Sequence, residues 1–400
     1  MTDNYKNIEN EYAHWLFNVQ GLGNKSIDKL LCNGMSCSEI YRADGKEFKG
    51  ILTDKQIKYL EQSKKSWDFD KEAAKLAKKN ISFISRIDPR FPEKLKNIPD
   101  PPFALYVKGE LPDPSKPSVA IIGARMCSEY GRYMARVFGR GLALAGVQVI
   151  SGLARGVDGI SQKAALAAGG KSYGIVGSGV DICYPEDNLE IYNNLCEMGG
   201  VISEFPPGTY PKANFFPMRN RIISGLADIV LVIEAREKSG TQITVDTALE
   251  QGREVLAVPG RVTDRLSDGC NLLISQGAGV AIGVDDVLGR LWENTRSNRR
   301  HDETGNKKED RNNDGNDLKP QENNENTGTI EDTRNMEATR TVEDEILELV
   351  DIIPVSASQI LEGLEQRGID ISVPQLMGYL MELNYKGALI QDGVYYRKRQ

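Results

Sequence analysis

Between Ser118 and about Trp292, short β-branched apolar runs alternate with stretches whose apolar side chains recur at helical spacing. The runs are Val119–Ile122, Val147–Ile150, Tyr173–Val176, Val201–Ser203, Ile229–Ile233 and Glu254–Val258. Between the first two, Tyr130, Met134, Val137, Phe138, Leu142 and Ala145 follow a helical period. This alternation predicts βαβ units, an α/β fold and a mostly parallel, Rossmann-like sheet. Strands that are apolar almost throughout fit a sheet covered by helices on both faces.

The flanks read differently. Residues 1–69 predict a helical domain, with an apolar face over Glu11–Val19 and a second helix over Ile27–Leu31. The turn between them, Gly21-Leu22-Gly23-Asn24-Lys25-Ser26, has two readings. It is either a helix-hairpin-helix (SAM-like) anion loop or a plain turn in a small bundle. From residue 70 to 117 the prolines Pro89, Pro92, Pro99, Pro101 and Pro102 predict broken structure. Phe91, Phe103, Leu105 and Tyr106 predict that this segment wraps onto the following domain, which spans 70–292.

Residues 293–340 are rich in Asn, Asp, Glu, Lys and Arg and almost devoid of large apolar residues. Such a tract cannot offset its ordering entropy by burial, so a disordered linker is expected. Residues 341–400 regain periodicity. Helices over Val342–Val350, Ala357–Gln366 and Ser372–Tyr385 precede a hairpin with a type I′ turn signal at Asp392-Gly393, which predicts a winged helix. From Val342 to Lys398 ten carboxylates face four cations, so this unit is expected to touch protein rather than duplex DNA.

Composition narrows the chemistry. A chain of 400 residues with 40% hydrophobic content supports two or three domains. No apolar run is long enough to span a membrane. The beginning of the chain lacks a basic and apolar leader pattern, and the six cysteines are scattered without a CxxC pair. Both point to a reducing cytoplasm, without disulfides or a zinc site. The net charge of −7 argues against indiscriminate nucleic-acid binding but leaves room for a local basic site. The two histidines, His14 and His301, lie outside the candidate site, which disfavours histidine catalysis and a metal centre. No cofactor is expected.

Each predicted central strand ends in a glycine-bearing or polar loop. In an open parallel sheet this carboxyl edge is where ligands bind. The loops include Gly123-Ala124-Arg125, Ser151-Gly152-Leu153-Ala154-Arg155-Gly156, Gly177-Ser178-Gly179 and Val258-Pro259-Gly260-Arg261. Glycines let backbone N–H groups approach an anion, and helix starts favour negative charge. Arg125, Arg155, Arg219, Arg221, Lys238 and Arg261 fall on or near this edge, which predicts a phosphate site.

Phosphate signatures of other classes fail. Ala165 stands where a P-loop ending in Gly170-Lys171-Ser172 needs glycine, and Ile182 breaks a dinucleotide fingerprint after Gly177-Ser178-Gly179. The stretch Phe215-Phe216-Pro217-Met218-Arg219-Asn220-Arg221 carries more. Its arginines suit phosphate oxygens, Asn220 a base edge or the loop itself, and one phenylalanine an unpaired base. The competing assignment places one Phe in the core and pairs one Arg with Glu204 or Glu234. Glu204, Glu234, Asp158 and Asp181 show neither a nucleophile–base pair nor metal spacing, so no enzymatic role is expected of them.

These motifs, in this order, resemble the DNA-processing protein A (DprA, or Smf) family. The resemblance rests on Ile121-Ile122-Gly123-Ala124-Arg125, Ser151 to Asp158, Gly179 to Pro185, Ser203 to Gly208, Phe216 to Ile223, Ser239-Gly240-Thr241, Gly252-Arg253 and Gly269 to Ile274. It implies a protein that binds and protects single-stranded DNA, loads the RecA recombinase onto it in natural transformation, and dimerises through the Rossmann domain. It also implies that Gly123, Arg125, Ser151, Gly152, Phe216, Arg219, Asn220, Ser239 and Gly240 line the DNA pocket. The loop reading adds Arg155 and Arg221.

Two positions depart from the family, which usually has serine at Ala124 and histidine at Gln162. A more distant likeness is to nucleoside-monophosphate phosphoribohydrolases, but Thr244 stands where those enzymes carry a glutamate.

Overall fold

The computed structural model describes residues 2–292, 341–350, 355–369, 371–392 and 395–398. The tract expected to be a linker, 293–340, lies outside them, as does Gly393 of the expected hairpin turn. The chain forms two compact units, Met1–Asn312 and Asn313–Gln400.

The first unit opens with five helices: α1 (Thr2–Phe17), α2 (Asn24–Cys32), α3 (Cys37–Arg42), α4 (Asp54–Ser66) and α5 (Phe69–Lys78). Their starts follow from local chemistry. Ser36 with Glu39 and Thr53 with Gln56 form capping boxes at α3 and α4.

Two strands follow in the segment expected to be broken: β1 (Ile81–Ser85) and β2 (Ala104–Gly109), with the short helix α6 (Glu93–Lys96) between them. The five prolines all fall between these strands, so they punctuate regular structure and do not abolish it. The expected wrapping holds: Phe91, Phe103, Leu105 and Tyr106 are buried.

The alternating region supplies β3 (Ser118–Ile122), α7 (Glu129–Leu144), β4 (Gln148–Ser151), α8 (Val157–Ala167), β5 (Ser172–Ile175), α9 (Leu189–Met198) and β6 (Gly200–Ser203). The chain then continues through α10 (Phe215–Leu226), β7 (Ile229–Val232), α11 (Gly240–Glu250), β8 (Glu254–Ala257), α12 (Asp268–Ser275) and β9 (Gly279–Val280). A helix over 284–292 (α13) ends the described part of this unit.

Nine strands form one sheet in the order β1-β2-β6-β5-β4-β3-β7-β8-β9. β3 to β9 pair in parallel, while β2 pairs antiparallel with both β1 and β6. The α/β fold with a mostly parallel sheet is therefore as expected.

From β3 the chain steps outward through β4, β5 and β6, then returns to β7 on the other side of β3. That reversal opens a crevice at the carboxyl ends of β3 and β7. One core layer packs Ile122, Ile175, Val232 and Ile222; the other packs Ile121, Phe138, Val149 and Leu231. At Gly139 a Cβ would stand 2.3 Å from the Ser161 carbonyl oxygen, so glycine is what lets α7 and α8 approach. The front helices share one core with the sheet, in which Trp15, Leu16 and Ile27 join Phe83, Tyr106, Val176 and Val201.

The second unit contains α14 (Val342–Leu349), β10 (Val355–Ser356), α15 (Ala357–Gln366), α16 (Val373–Tyr385), β11 (Leu389–Asp392) and β12 (Tyr395–Lys398). Its strands form an antiparallel sheet in the order β10-β12-β11. Ile346, Ile360, Leu364, Leu376, Leu380 and Tyr396 make its core. Among the described residues no helix is long and apolar enough to cross a membrane.

Candidate nucleic-acid interface

A cleft of about 810 Å³ opens at the crevice between β3 and β7. Seven of the expected site residues line it: Gly123, Arg125, Phe216, Arg219, Asn220, Ser239 and Gly240. They come from three places. The β3 loop brings Gly123 and Arg125, the first half of α10 brings Phe216, Arg219 and Asn220, and the start of α11 brings Ser239 and Gly240.

The loop after β3 is held from below. The Ala124 N–H donates to the Glu234 carbonyl at 2.7 Å. The Glu234 carboxylate, fully buried, accepts from the Ser128 N–H at 2.8 Å and from the Ser128 hydroxyl, closing the start of α7. Glu234 is thus a helix cap. Above this support Arg125 is exposed, with its guanidinium 5.4 Å from the ring centroid of Phe216.

Arg219 differs in its burial and its partners. It is buried, and its Nη1 donates to the carbonyls of Gly152, at 2.7 Å, and of Ile175. Its Nε donates to Asn220 Oδ1 at 3.1 Å. Burial pulls its pKa down to about 10, with Arg125 adding to the shift and Asp158 opposing it. It therefore stays charged at neutral pH.

Asp158, at the start of α8, accepts from the Gly152 N–H at 3.1 Å. Burial raises its pKa against the pull of Arg219, of two backbone N–H groups and of Arg125. A Cβ on Gly152 would sit 2.6 Å from Asp158 Oδ2 and 2.8 Å from the Arg219 guanidinium, so glycine is required where these two meet.

The next residue, Leu153, has φ of +53°, a conformation that costs a non-glycine residue energy. Gln162 fixes it there. Gln162 Oε1 accepts from the Leu153 N–H at 3.1 Å and its Nε2 donates to the Tyr173 carbonyl at 3.0 Å. The departure at Gln162 is thus a buried brace that must both accept and donate, as one tautomer of a neutral histidine also can.

Four expected site residues lie elsewhere. The Ser151 hydroxyl is buried and donates to the Ile121 carbonyl at 2.6 Å. Gly152 is buried beneath Arg219. Arg155 is exposed and pairs with Asp187 at 2.6 Å, away from the cleft lining.

Arg221 points to the opposite side of α10. It donates to Glu204 at 2.8 Å, to the Asp100 carbonyl at 2.8 Å and to the Met218 carbonyl at 2.7 Å. The reason is helical phase. α10 begins at Phe215, so both arginines lie inside a helix, where residues two apart diverge by about 200°. The competing pairing of one arginine with Glu204 is the one observed, and Asn24 also donates to Glu204, at 2.7 Å. This occupies the Asn24 amide at the start of α2, so the front turn is tied into the fold.

Both phenylalanines are half-buried. Phe215 stacks on Phe205 with centroids 4.1 Å apart, and Phe216 faces the cleft. Arg236, Met126 and Tyr184 also line the cleft and were not among the expected site residues. Tyr184 lies inside a motif quoted for the family resemblance. The Ser239 hydroxyl, at the start of α11, is buried without a hydrogen-bond partner. Among the described residues no group of three or more His, Cys, Asp or Glu side chains could hold a metal ion.

A family model described as DNA recombination-mediator protein A matches residues 82–291, over half of the chain. The chain belongs to this family. It is 40% identical over 222 residues to DNA processing protein DprA of Streptococcus pneumoniae, which covers 55% of this chain and 78% of that relative. It is 39% identical over 214 residues to DNA processing protein DprA of Bacillus subtilis, covering 53% and 72%. Among solved structures, the X-ray structure of DNA processing protein A from Streptococcus pneumoniae matches with a TM-score of 0.61 at 33% identity, over 70% of this chain and 97% of that one. A DNA-processing role follows from this membership, and the structural match is longer than the family model.

Proposed function

We propose that the cleft binds single-stranded DNA through its phosphates, protects it, and presents it for loading of the RecA recombinase in natural transformation or related recombination. The observation that carries this reading is Arg125. It is an exposed arginine with no ion pair among the described contacts, set at the topological switch point beside an aromatic ring and a helix start. Partnership with RecA, a homodimer formed through the Rossmann domain, and residence in the cytoplasm complete the proposal. The six free cysteines suit a reducing compartment.

The same cleft supports binding without covalent chemistry. Glu234 caps α7, Glu204 pairs with Arg221, Asp181 holds Lys79 and the Gly208 N–H, and Asp158 sits beside Arg219. Each carboxylate near the strand ends has a structural partner.

Fluorescence anisotropy with a labelled single strand tests the reading. Binding that weakens with salt is expected, and no binding at low salt overturns it. Release of free base from a nucleoside monophosphate would overturn the non-enzymatic part.

A further inference from the structure

We infer that Tyr184 is the surface on which an unpaired nucleobase of the bound strand stacks. This rests on the reading of the cleft as a single-stranded DNA site and assigns the base contact within it.

Phe216 is the obvious aromatic of the cleft, but its ring is already engaged. The guanidinium carbons of Arg125 and Arg219 lie 5.4 and 5.9 Å from its centroid, both within cation–π range. Tyr184 leans on the same ring with centroids 5.9 Å apart and planes tilted by 38°. Three groups therefore crowd a half-buried ring.

Tyr184 itself is 48% exposed and lines the cleft. An aromatic surface open to solvent, beside an exposed arginine with no ion pair among the described contacts, is what a base requires.

The loop that carries Tyr184 is braced on several sides. The Ile182 N–H donates to the Gly179 carbonyl at 3.0 Å, and the Ser178 hydroxyl donates to the Ile182 carbonyl at 3.2 Å. Asp181 accepts from Lys79 Nζ at 2.6 Å and from the Gly208 N–H at 2.7 Å. The Tyr192 hydroxyl donates to the Val180 carbonyl at 2.6 Å. A platform ordered before binding loses little entropy when a base lands on it. Arg125 and Tyr184 contact the same ring, so a phosphate on the first and a base on the second belong to the same or neighbouring nucleotides. Stacking of this kind accepts any base, so the ligand class is unpaired DNA of any sequence.

The experiment compares the full chain with two labelled strands of equal length, oligothymidylate and an abasic strand of the same phosphate count. The wild-type protein is expected to prefer oligothymidylate. Tyr184→Ala is expected to lower affinity for oligothymidylate about tenfold and to leave abasic binding within about twofold. Tyr184→Trp is expected to keep the preference. If Tyr184→Ala retains the wild-type preference, or weakens both strands equally, the assignment is overturned. If the wild-type protein binds neither strand, the single-stranded DNA reading fails with it.

Discussion

Arg125 and Arg219 approach the ring of Phe216 to nearly the same distance, 5.4 and 5.9 Å, yet one is exposed and the other buried. The two therefore report on different quantities. Arg125→Ala removes a solvent-facing cation, so its unfolding free energy should stay within about 0.5 kcal/mol of wild type. Its affinity for single-stranded DNA should fall about tenfold, the scale of one charge-assisted contact. The slope of log affinity against log salt should flatten by about 0.7. Arg219→Ala strips two backbone carbonyls of this donor and leaves buried Asp158 without its main cationic partner, which should cost about 3 kcal/mol. Urea unfolding and salt-dependent anisotropy on both variants distinguish the two roles. Equal stability losses would contradict them.

Arg221, two residues along α10, should behave as part of the frame. With Glu204 it forms a buried ion pair at 2.8 Å in which both side chains are 8% exposed. Removing one partner of such a pair costs about 3 kcal/mol. Arg221→Ala should lose that much stability, and the fraction still folded should bind single-stranded DNA within about twofold of wild type. A tenfold loss of affinity at unchanged stability would return Arg221 to the site.

His14 gives a pH signature remote from the cleft. It packs among Trp67, Phe83 and Tyr106, and burial lowers its pKa from 6.5 to about 4, with Glu72 opposing. Between these values the unfolded chain binds the proton and the folded chain does not. This contribution to stability is therefore present above pH 6.5 and lost as pH falls toward 4. The loss amounts to roughly 3 kcal/mol by pH 4. Unfolding measured from pH 7 to 4 should show a steeper loss for wild type than for His14→Phe. Parallel curves would contradict the assignment.

The C-terminal unit, expected to be a winged helix, should bind duplex DNA poorly. Arg367 pairs with Glu345 at 2.5 Å and Glu348 at 3.0 Å, and Lys386 pairs with Glu343 at 3.0 Å and Glu382 at 2.9 Å. The outer side of α16 exposes Val373, Met381 and Tyr385, the kinds of side chain that meet protein. Residues 341–400 should leave a duplex unshifted in a gel at physiological salt. Tight, salt-sensitive retardation would overturn this and assign the unit to DNA.

Six strands of the sheet were legible because they are buried almost throughout and therefore largely apolar; β3 and β7 are examples. β1 and β2 were hidden by the prolines between them, and β9, with two residues, is too short to register. The cleft was legible where glycine and arginine stand together at a strand end, as at Gly123 and Arg125. It was illegible where direction decides. Ser151 and Arg221 have the right chemistry in the right motif, but one hydroxyl turns inward to Ile121 and one guanidinium turns toward Glu204. Direction depends on where α10 begins, and helix boundaries are the least readable feature of a sequence. Tyr184 shows the converse: it sits within a quoted motif, but only the assembled loops place its ring in the cleft.

The seating of β2 on β6 governs how the chain can be divided. With the segment before Ser118 removed, β6 would become a bare edge, four buried residues with unpaired backbone groups on one side. Such an edge is a template for pairing with another chain. As folded, the sheet continues through β2 to β1, whose flank α1 and α5 cover. A fragment cut at the first parallel strand would therefore keep every cleft residue and still tend to aggregate, whereas one that keeps the front helices would stay dispersed.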